Sequence, residues 1–231
     1  VSYMYKFINE KSFDIGAGCG RAGYSGDGDI ATKAELNEPY EIRFDRDGHM
    51  FFVEMRNNVV RRVDAKTRLV STVAGTGKAG FGGDGGPSAK AEMRAPHSIA
   101  FGHDGALYIC DIGNHRIRKV DMRAGSISTF AGTGERQPTP DGAKLATAPL
   151  NGPRAIDFDA RGDMWLALRE GNRVFRIDMR AQKIHHVAGT GKTGFTGNGG
   201  DAKAATLSGP KGIAIGPGGD VYLAEDRKSV V

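Results

Sequence analysis

The feature that most constrains this chain is a repeat of constant length. Its markers are spaced 57 residues apart: Pro39, Pro96, Pro153 and Pro210; Gly18, Gly75, Gly132 and Gly189; and Asp64, Asp121 and Asp178. Three sets of markers in one register, without insertion or deletion, are not a product of chance composition. A period of this length, filled with short strand patterns, predicts an all-β fold of radially arranged repeats.

Each repeat holds four strand patterns. In the second repeat they cover 99–101, 106–110, 116–121 and 127–131, and tight turns such as Asp104-Gly105 join them. Four antiparallel strands connected by short turns predict one blade of a β-propeller. We expect a single domain with these parts: the last strand of a preceding blade in 1–17, blades at 18–74, 75–131 and 132–188, and an incomplete blade at 189–231.

Two further patterns recur inside the repeat. An aromatic residue occupies one position of the second strand in every repeat, at Phe51, Tyr108, Trp165 and Tyr222. We expect these rings to form core between repeats. The long glycine-rich connection between blades ends in an Ala-x-Leu pattern, as at Ala34 and Leu36, which predicts one helical turn that covers the blade edge.

The number of blades follows from the count of strand patterns. Three complete blades are joined by two strands and the start of a third in 212–231 and by one strand near 13–17. We expect a fragment of a six-bladed ring, and the alternative is a closed four-bladed ring in which the two ends pair. The chain begins at Val1 without methionine and stops at Val231 inside a strand pattern, so we expect both ends to be cut. A secretion signal would then lie outside the sequence, which leaves the compartment open, secreted and periplasmic locations included.

Composition limits the classes of partner. The net charge of +5 raises the question of an acidic partner, but the basic residues alternate with apolar ones on strands and have acidic neighbours. Neither a basic helix nor an aromatic stacking platform is present, so we expect no nucleic-acid binding. No apolar run reaches membrane-spanning length, so we expect no membrane contact within this segment. Cys19 and Cys110 occupy different repeat positions and predict no disulfide.

The second repeat carries a resemblance to a known family. Pro96–Asp121 reads PHSIAFGHDGALYICDIGNHRIRKVD, and the connection before it reads VAGTGKAGFGGDGG. These residues resemble the NHL-repeat family of β-propellers, in the long-loop version found in bacterial proteins and teneurins. The resemblance covers nearly the whole chain and implies a propeller fold. It implies no single function, because this family includes binding modules and enzymes alike.

Candidate site residues are those that differ between otherwise regular repeats. In a propeller the innermost strand of each blade lines a central channel, and the residues that enter it follow the repeat proline: Tyr40-Glu41, His97-Ser98, Arg154-Ala155 and Lys211-Gly212. Positions that the fold requires should repeat, so these variable positions are free for function. Together they predict a polar pocket of mixed charge for a small anionic or carbonyl-bearing ligand.

A second departure lies after the second strand of the third repeat. The stretch Leu168-Arg169-Glu170-Gly171 replaces the family-like Asp111-Ile112-Gly113-Asn114. Arg169 has the fork geometry that binds a carboxylate through two hydrogen bonds. We therefore add Arg169 and Glu170 to the predicted ligand site.

Two functions remain open at this point. The first is a binding module whose channel mouth engages a small molecule or a protein partner. The alternative is a hydrolase or lyase in which His97 is a general base, Glu41 an acid, and Arg154 stabilises developing negative charge. Calcium or zinc would be held by His97 and Glu41 together with ligands from other blades, but no local spacing of ligands supports a metal, and we assign no metal or cofactor.

Overall fold

The computed structural model describes residues 4–9 and 12–225. Its strands are β1 (Met4–Asn9), β2 (Ser12–Ala17), β3 (Pro39–Phe44), β4 (Met50–Glu54), β5 (Val59–Val63), β6 (Val70–Ala74), β7 (Ile99–Phe101), β8 (Leu107–Asp111), β9 (Arg116–Asp121), β10 (Ser126–Ala131), β11 (Pro153–Phe158), β12 (Met164–Leu168), β13 (Arg173–Asp178), β14 (Lys183–Ala188), β15 (Pro210–Ile215) and β16 (Val221–Glu225). The helices of this part of the chain are short 3-10 turns, and none of them has the length and apolar character needed to cross a membrane.

The strands form sheets in chain order, which confirms the predicted all-β fold. β3–β6, β7–β10 and β11–β14 are four-stranded sheets, while β1–β2 and β15–β16 are two-stranded. Neighbouring strands pair antiparallel, with Val53 opposite Val60 and Leu166 opposite Phe175. The strand expected near 13–17 is β2, and its partner β1 was not predicted. The third strand that we expected to begin after β16 lies outside the described residues.

Contacts divide the chain into two compact units. Unit 1 comprises Val1–Ile99 and Val120–Ser128, and unit 2 comprises Ala100–Lys119 and Thr129–Val231. Each unit has its own apolar core, built around Phe52 in unit 1 and around Phe175 in unit 2. The division into blades at fixed 57-residue boundaries stays a prediction.

The aromatic residue of the second strand is fully buried in the first two repeats but not in the last two. Phe51 and Tyr108 are fully buried, as predicted. Trp165 is half-buried, and its indole N–H donates to Asp159 Oδ2 at 3.1 Å. Tyr222 is 63% exposed, so the prediction is wrong there. It lies on the two-stranded β15–β16 sheet.

The connections between blades differ from the predicted helical turn. A three-residue 3-10 turn such as Ala31–Lys33 precedes the Ala-x-Leu pattern, and Ala34 itself is extended (φ −69°, ψ 142°). Ala34 and Leu36 are fully buried, so the pattern packs as a strand-like segment. Gly75 opens the next connection at φ +96°, where a Cβ would collide with the carbonyl oxygen of Asn58. Glycine is required at this position both by its backbone angle and by space.

In the first and second repeats, the last residue of the second strand forms a buried ion pair with an arginine of the third strand. In unit 1, Arg61 Nη1 contacts Glu54 Oε1 at 3.0 Å, and both side chains are fully buried. Asn57 Nδ2 donates to Glu54 Oε2 at 2.7 Å, so these three residues form a polar triad. Burial raises the pKa of the Glu54 carboxyl, and the N–H donors and Arg61 oppose that rise. In unit 2, Asp111, Asn114 and Arg118 form the equivalent triad, with Asn114 Nδ2 2.8 Å from Asp111 Oδ2.

The third repeat replaces the polar triad with apolar residues. Leu168, Gly171 and Phe175 stand at the positions of Glu54, Asn57 and Arg61 in the 57-residue register. Leu168 and Phe175 are buried in the core of unit 2. The carboxylate and guanidinium of an ion pair are thus exchanged together for two apolar side chains, which avoids a lone buried charge.

Candidate functional site

Three of the predicted site residues are extra residues of β-bulges. Strand β3 has one residue more than its partner β4 at Glu41, because Tyr40 pairs with Val53 and the next pair is Ile42–Phe52. The same irregularity leaves Arg154 of β11 and Lys211 of β15 outside the strand register. A bulge redirects a side chain and bends its strand, and bulges are frequent next to functional sites. The first strands therefore share a local device that presents these variable residues.

His97 and Tyr40 are brought together in unit 1. Their ring centroids are 4.2 Å apart with the planes inclined by 37°. His97 is only 6% exposed, and its Nε2 atom is buried without a hydrogen-bond partner among the described residues. Tyr40 is 38% exposed, so its ring lies between the histidine and solvent-accessible surface. A buried imidazole nitrogen without a partner is costly and needs an explanation.

Glu41 has a charged partner, and it lies in a segment with unusual backbone angles. Its carboxylate forms an ion pair with Arg43, and its backbone has a positive φ of +40°. Glu38 and Ala95, which lie two residues before Tyr40 and His97, also have positive φ angles of +50° and +48°. Such angles are unfavourable for residues other than glycine and concentrate at functional sites. The segments that carry the Tyr40–His97 pair are therefore held in strained conformations.

Arg169 and Glu170 contact each other in unit 2. Arg169 Nη1 donates to Glu170 Oε1 at 3.0 Å, and each side chain is 40% exposed. Glu170 also lines a cleft of about 310 Å³ together with Arg136, Arg173 and Lys192. Arg154 and Lys211, on β11 and β15, are half-buried.

Of the charged cleft residues, Glu170 was predicted, whereas Arg136, Arg173 and Lys192 were not, although the sequence contains a signal for Arg136. Arg136 stands where the other repeats have Ala22, Ala79 and Thr193. Arg136 is therefore a variable repeat position, free for function in the same sense as the variable residues after each repeat proline. Arg173 gave no such signal, because Arg116 occupies the same position in the second repeat.

A group of potential metal ligands lies elsewhere. Asp45, Asp47 and His49 bring ligand atoms within 4.8 Å of one another in the turn between β3 and β4. Asp45 Oδ1 accepts the backbone N–H groups of Asp47 (3.0 Å) and His49 (2.9 Å), and His49 Nδ1 accepts the N–H of Ala65 at 3.0 Å. These bonds explain the group as a turn that is stabilised by its own side chains. Neither His97 nor Glu41 belongs to it.

Comparison with curated proteins gives partial matches. No protein-family model matches the chain. The chain is 32% identical to SUPPRESSOR OF QUENCHING 1 of Arabidopsis thaliana over 52% of this chain and 12% of that protein. It is 29% identical to NHL repeat-containing protein 2 of Bos taurus over 54% of this chain and 17% of that protein. It is 26% identical to human teneurin-1 over 93% of this chain, which is 9% of teneurin-1. The chain thus spans less than a fifth of each of these relatives.

Comparison with solved structures shows the fold. A protein of unknown function from Bacteroides thetaiotaomicron superimposes with a TM-score of 0.66 at 19% identity, covering 82% of this chain and 45% of that one. Streptogramin B lyase gives 0.55 at 15% identity over 82% and 49%. The nidogen/laminin complex gives 0.56 at 14% identity over 83% and 58%. At these identities the likeness concerns architecture, and the chain spans about half of each neighbour.

Proposed function

We propose, from the premise that this chain is built of NHL-type β-propeller repeats, that it is a binding module whose ligand site includes His97 and Tyr40. The ligand is a small carbonyl- or carboxylate-bearing molecule, or a protein segment that presents such a group. Glu41 belongs to this proposed site of unit 1. In unit 2, Arg154 and Lys211 occupy the repeat position of His97, and we propose them, with Arg169 and Glu170, as ligand contacts of that unit.

The observation that carries this proposal is the Nε2 atom of His97. It is buried in unit 1 and has no hydrogen-bond partner among the described residues. A neutral imidazole offers one donor and one acceptor, and leaving a buried one unused costs about 1–3 kcal/mol. A ligand carbonyl or carboxylate oxygen would accept a hydrogen bond from a protonated Nε2. The half-exposed ring of Tyr40 offers an apolar surface beside it.

The second candidate is a hydrolase or lyase. The buried imidazole favours it, because a histidine without a partner is suited to take a proton from a bound substrate. Fold neighbours include streptogramin B lyase, at 15% identity. In this reading His97 is the base, Glu41 the acid, and Arg154 the group that stabilises negative charge. The ion pair of Glu41 with Arg43 favours binding over chemistry, because the carboxylate is already engaged by a cation.

The test is a ligand screen that reports on His97 directly. The purified chain is screened by thermal shift against small carboxylates, lactones, amides and peptides with a free carboxyl terminus. Compounds that stabilise it are then titrated while the imidazole signals are followed by NMR, with the His97 signals assigned from His97→Phe. We expect a saturable shift of the His97 signals and recovery of the intact compound. Consumption of the compound would instead establish the enzyme reading.

The matched variants separate binding from folding. His97→Phe keeps an aromatic ring against Tyr40 but removes the buried nitrogen, so it should retain or raise the unfolding midpoint and weaken the compound at least tenfold. His103→Gln, at an exposed turn, should leave the affinity unchanged. If no compound perturbs His97, or if His97→Phe binds as tightly as the natural chain, the proposed ligand site is wrong. His97→Gln provides the same comparison should the phenylalanine variant fail to fold.

A further inference from the structure

The cleft in unit 2 exists because the third repeat lacks groups that fill the same place in unit 1. There Asn57 Nδ2 donates to the carbonyl of Gly23 at 2.7 Å, and the ring of Tyr24 lies over the Arg61 guanidinium at 5.3 Å. In the third repeat the corresponding residues are Gly171 and Pro138, which have neither the amide nor the aromatic ring. Both line the cleft, which has a volume of about 310 Å³. Clefts of this size accommodate small ligands.

Basic side chains dominate the lining of this cleft. Arg136, Arg173 and Lys192 contribute three positive charges, whereas Glu170 contributes one negative charge that is already paired with Arg169 at 3.0 Å. The excess of positive charge is local and does not merely reflect the net charge of the chain. An anion that enters would be attracted by all three cations.

Arg173, at the start of β13, is held in place by the connection that follows β14. Its Nη2 donates to the carbonyl of Thr190 at 3.0 Å, which fixes the guanidinium at the wall of the cleft. A guanidinium has five N–H donors, so Arg173, which lines the cleft, can donate to an oxygen ligand there as well as to Thr190.

Arg136 is positioned by a histidine. Its Nε lies 2.9 Å from His115 Nε2, and the N–H of Gly152 lies 3.1 Å from Nδ1 of the same ring. A neutral imidazole accepts at only one nitrogen, so it cannot satisfy both donors. At the same repeat position, Asn58 and Asn172 accept the corresponding backbone N–H through Oδ1, at 2.9 and 2.8 Å. The bond to Gly152 is therefore the structural one, so Nε2 of the neutral ring carries the hydrogen and does not accept from Arg136. The imidazole fixes the place of the Arg136 guanidinium by direct contact, at 2.9 Å from Nε, and the N–H groups of Arg136 remain donors for a ligand.

From this geometry we infer that the cleft is an oxyanion site. It binds one phosphate or carboxylate group of a small molecule between Arg136, Arg173 and Lys192, with His115 as a positioning residue for Arg136. The Glu170 carboxylate would repel a second anionic group and accept a hydrogen bond from a hydroxyl of the same ligand. Glu170 is also named in the proposed function, but the inference rests on Arg136, Arg173 and Lys192 and does not depend on His97.

The experiment titrates the chain with inorganic phosphate and, separately, with acetate, by calorimetry and by NMR of the histidine rings. Burial and the charge of Arg136 lower the pKa of His115, Arg116 lowers it further, and Glu170 and the Leu150 carbonyl act in the opposite direction. A bound anion must raise this pKa, because it stabilises the charged imidazolium. We expect saturable binding with a rise in the pKa of His115, and the tighter of the two anions identifies the preferred group. Absence of saturation with both anions would overturn the inference.

Charge-matched variants separate a built site from general attraction. Lys192→Gln and Arg136→Gln should each weaken the preferred anion about tenfold, because each removes a charge-assisted hydrogen bond. Lys183→Gln removes the same charge from β14 outside the lining and should change the affinity less than twofold. An equal loss in Lys183→Gln would show unspecific attraction and refute the site.

A further variant tests whether His115 positions Arg136. His115→Asn restores the residue type found at 58 and 172, so the bond to the Gly152 N–H and the unfolding midpoint should persist. The affinity for the anion should fall severalfold, because the shorter asparagine side chain no longer contacts the Arg136 guanidinium. Unchanged affinity in His115→Asn would refute the role of the imidazole.

Discussion

Replacing Glu54 by leucine removes one half of a fully buried ion pair, and the third repeat of the same chain shows how that loss is compensated. In Glu54→Leu the Arg61 guanidinium stays buried with Asp27 Oδ1 at 2.8 Å as its remaining carboxylate partner. Breaking a buried pair from one side costs about 3–5 kcal/mol. The double variant Glu54→Leu with Arg61→Phe copies Leu168 and Phe175 and removes the buried Arg61 charge. The Asn37 N–H, which donates to Glu54 Oε2 at 2.7 Å, still loses its acceptor, so we expect a free energy of unfolding about 1–3 kcal/mol below that of the natural chain.

The assay is urea unfolding followed by far-ultraviolet circular dichroism, since Trp165, the single tryptophan, lies in unit 2 and would not report on unit 1. Each single substitution breaks the pair from one side, so the coupling energy between the two substitutions should be at least about 3 kcal/mol and of stabilising sign. The control is Glu38→Gln, which breaks the exposed pair with Arg56 (3.1 Å, side chains 63% and 39% exposed) and should cost less than about 1 kcal/mol. A double variant that is less stable than Glu54→Leu alone would refute the reasoning.

Two further predictions concern the repeat markers. Backbone N–H groups of Thr67 and Lys66 lower the pKa of Asp64 to about 2. The ionised carboxyl therefore contributes fully to stability above about pH 4, and this contribution is lost as the pH falls to about 2. A midpoint near 4 in a carboxyl titration by NMR would contradict this prediction. Gly75→Ala and Gly85→Ala both place alanine at positive φ, which should lower the free energy of unfolding by about 1–2 kcal/mol each. Only Gly75→Ala also brings a Cβ against the Asn58 carbonyl, so it should lose more stability. Equal losses of the two variants in urea unfolding would contradict the steric contribution.

The proposed site residues were predicted from positions that depart from a regular repeat. The variable residues after each repeat proline led to His97, Tyr40 and the residues that prove to lie at bulges. The same comparison, made along the glycine-rich connection, would have led to Arg136. Sequence could not reveal that His97 is buried without a partner for Nε2, because burial depends on side chains that come from distant parts of unit 1. Nor could it show that Arg169 pairs with Glu170.

The sequence alone determined the period, the all-β class and the positions of the strands after β1. Glycines at turns and alternation along strands act over a few residues, so they can be read locally, and the 57-residue register repeats them. Only the tertiary structure decided which members of a repeated set are equivalent in space. Phe51 is core whereas Tyr222 is exposed, and Asn57 fills a space that Gly171 leaves open. The physical reason is that burial and cleft formation depend on what packs against a residue, and that neighbour is set by the fold rather than by the adjacent sequence.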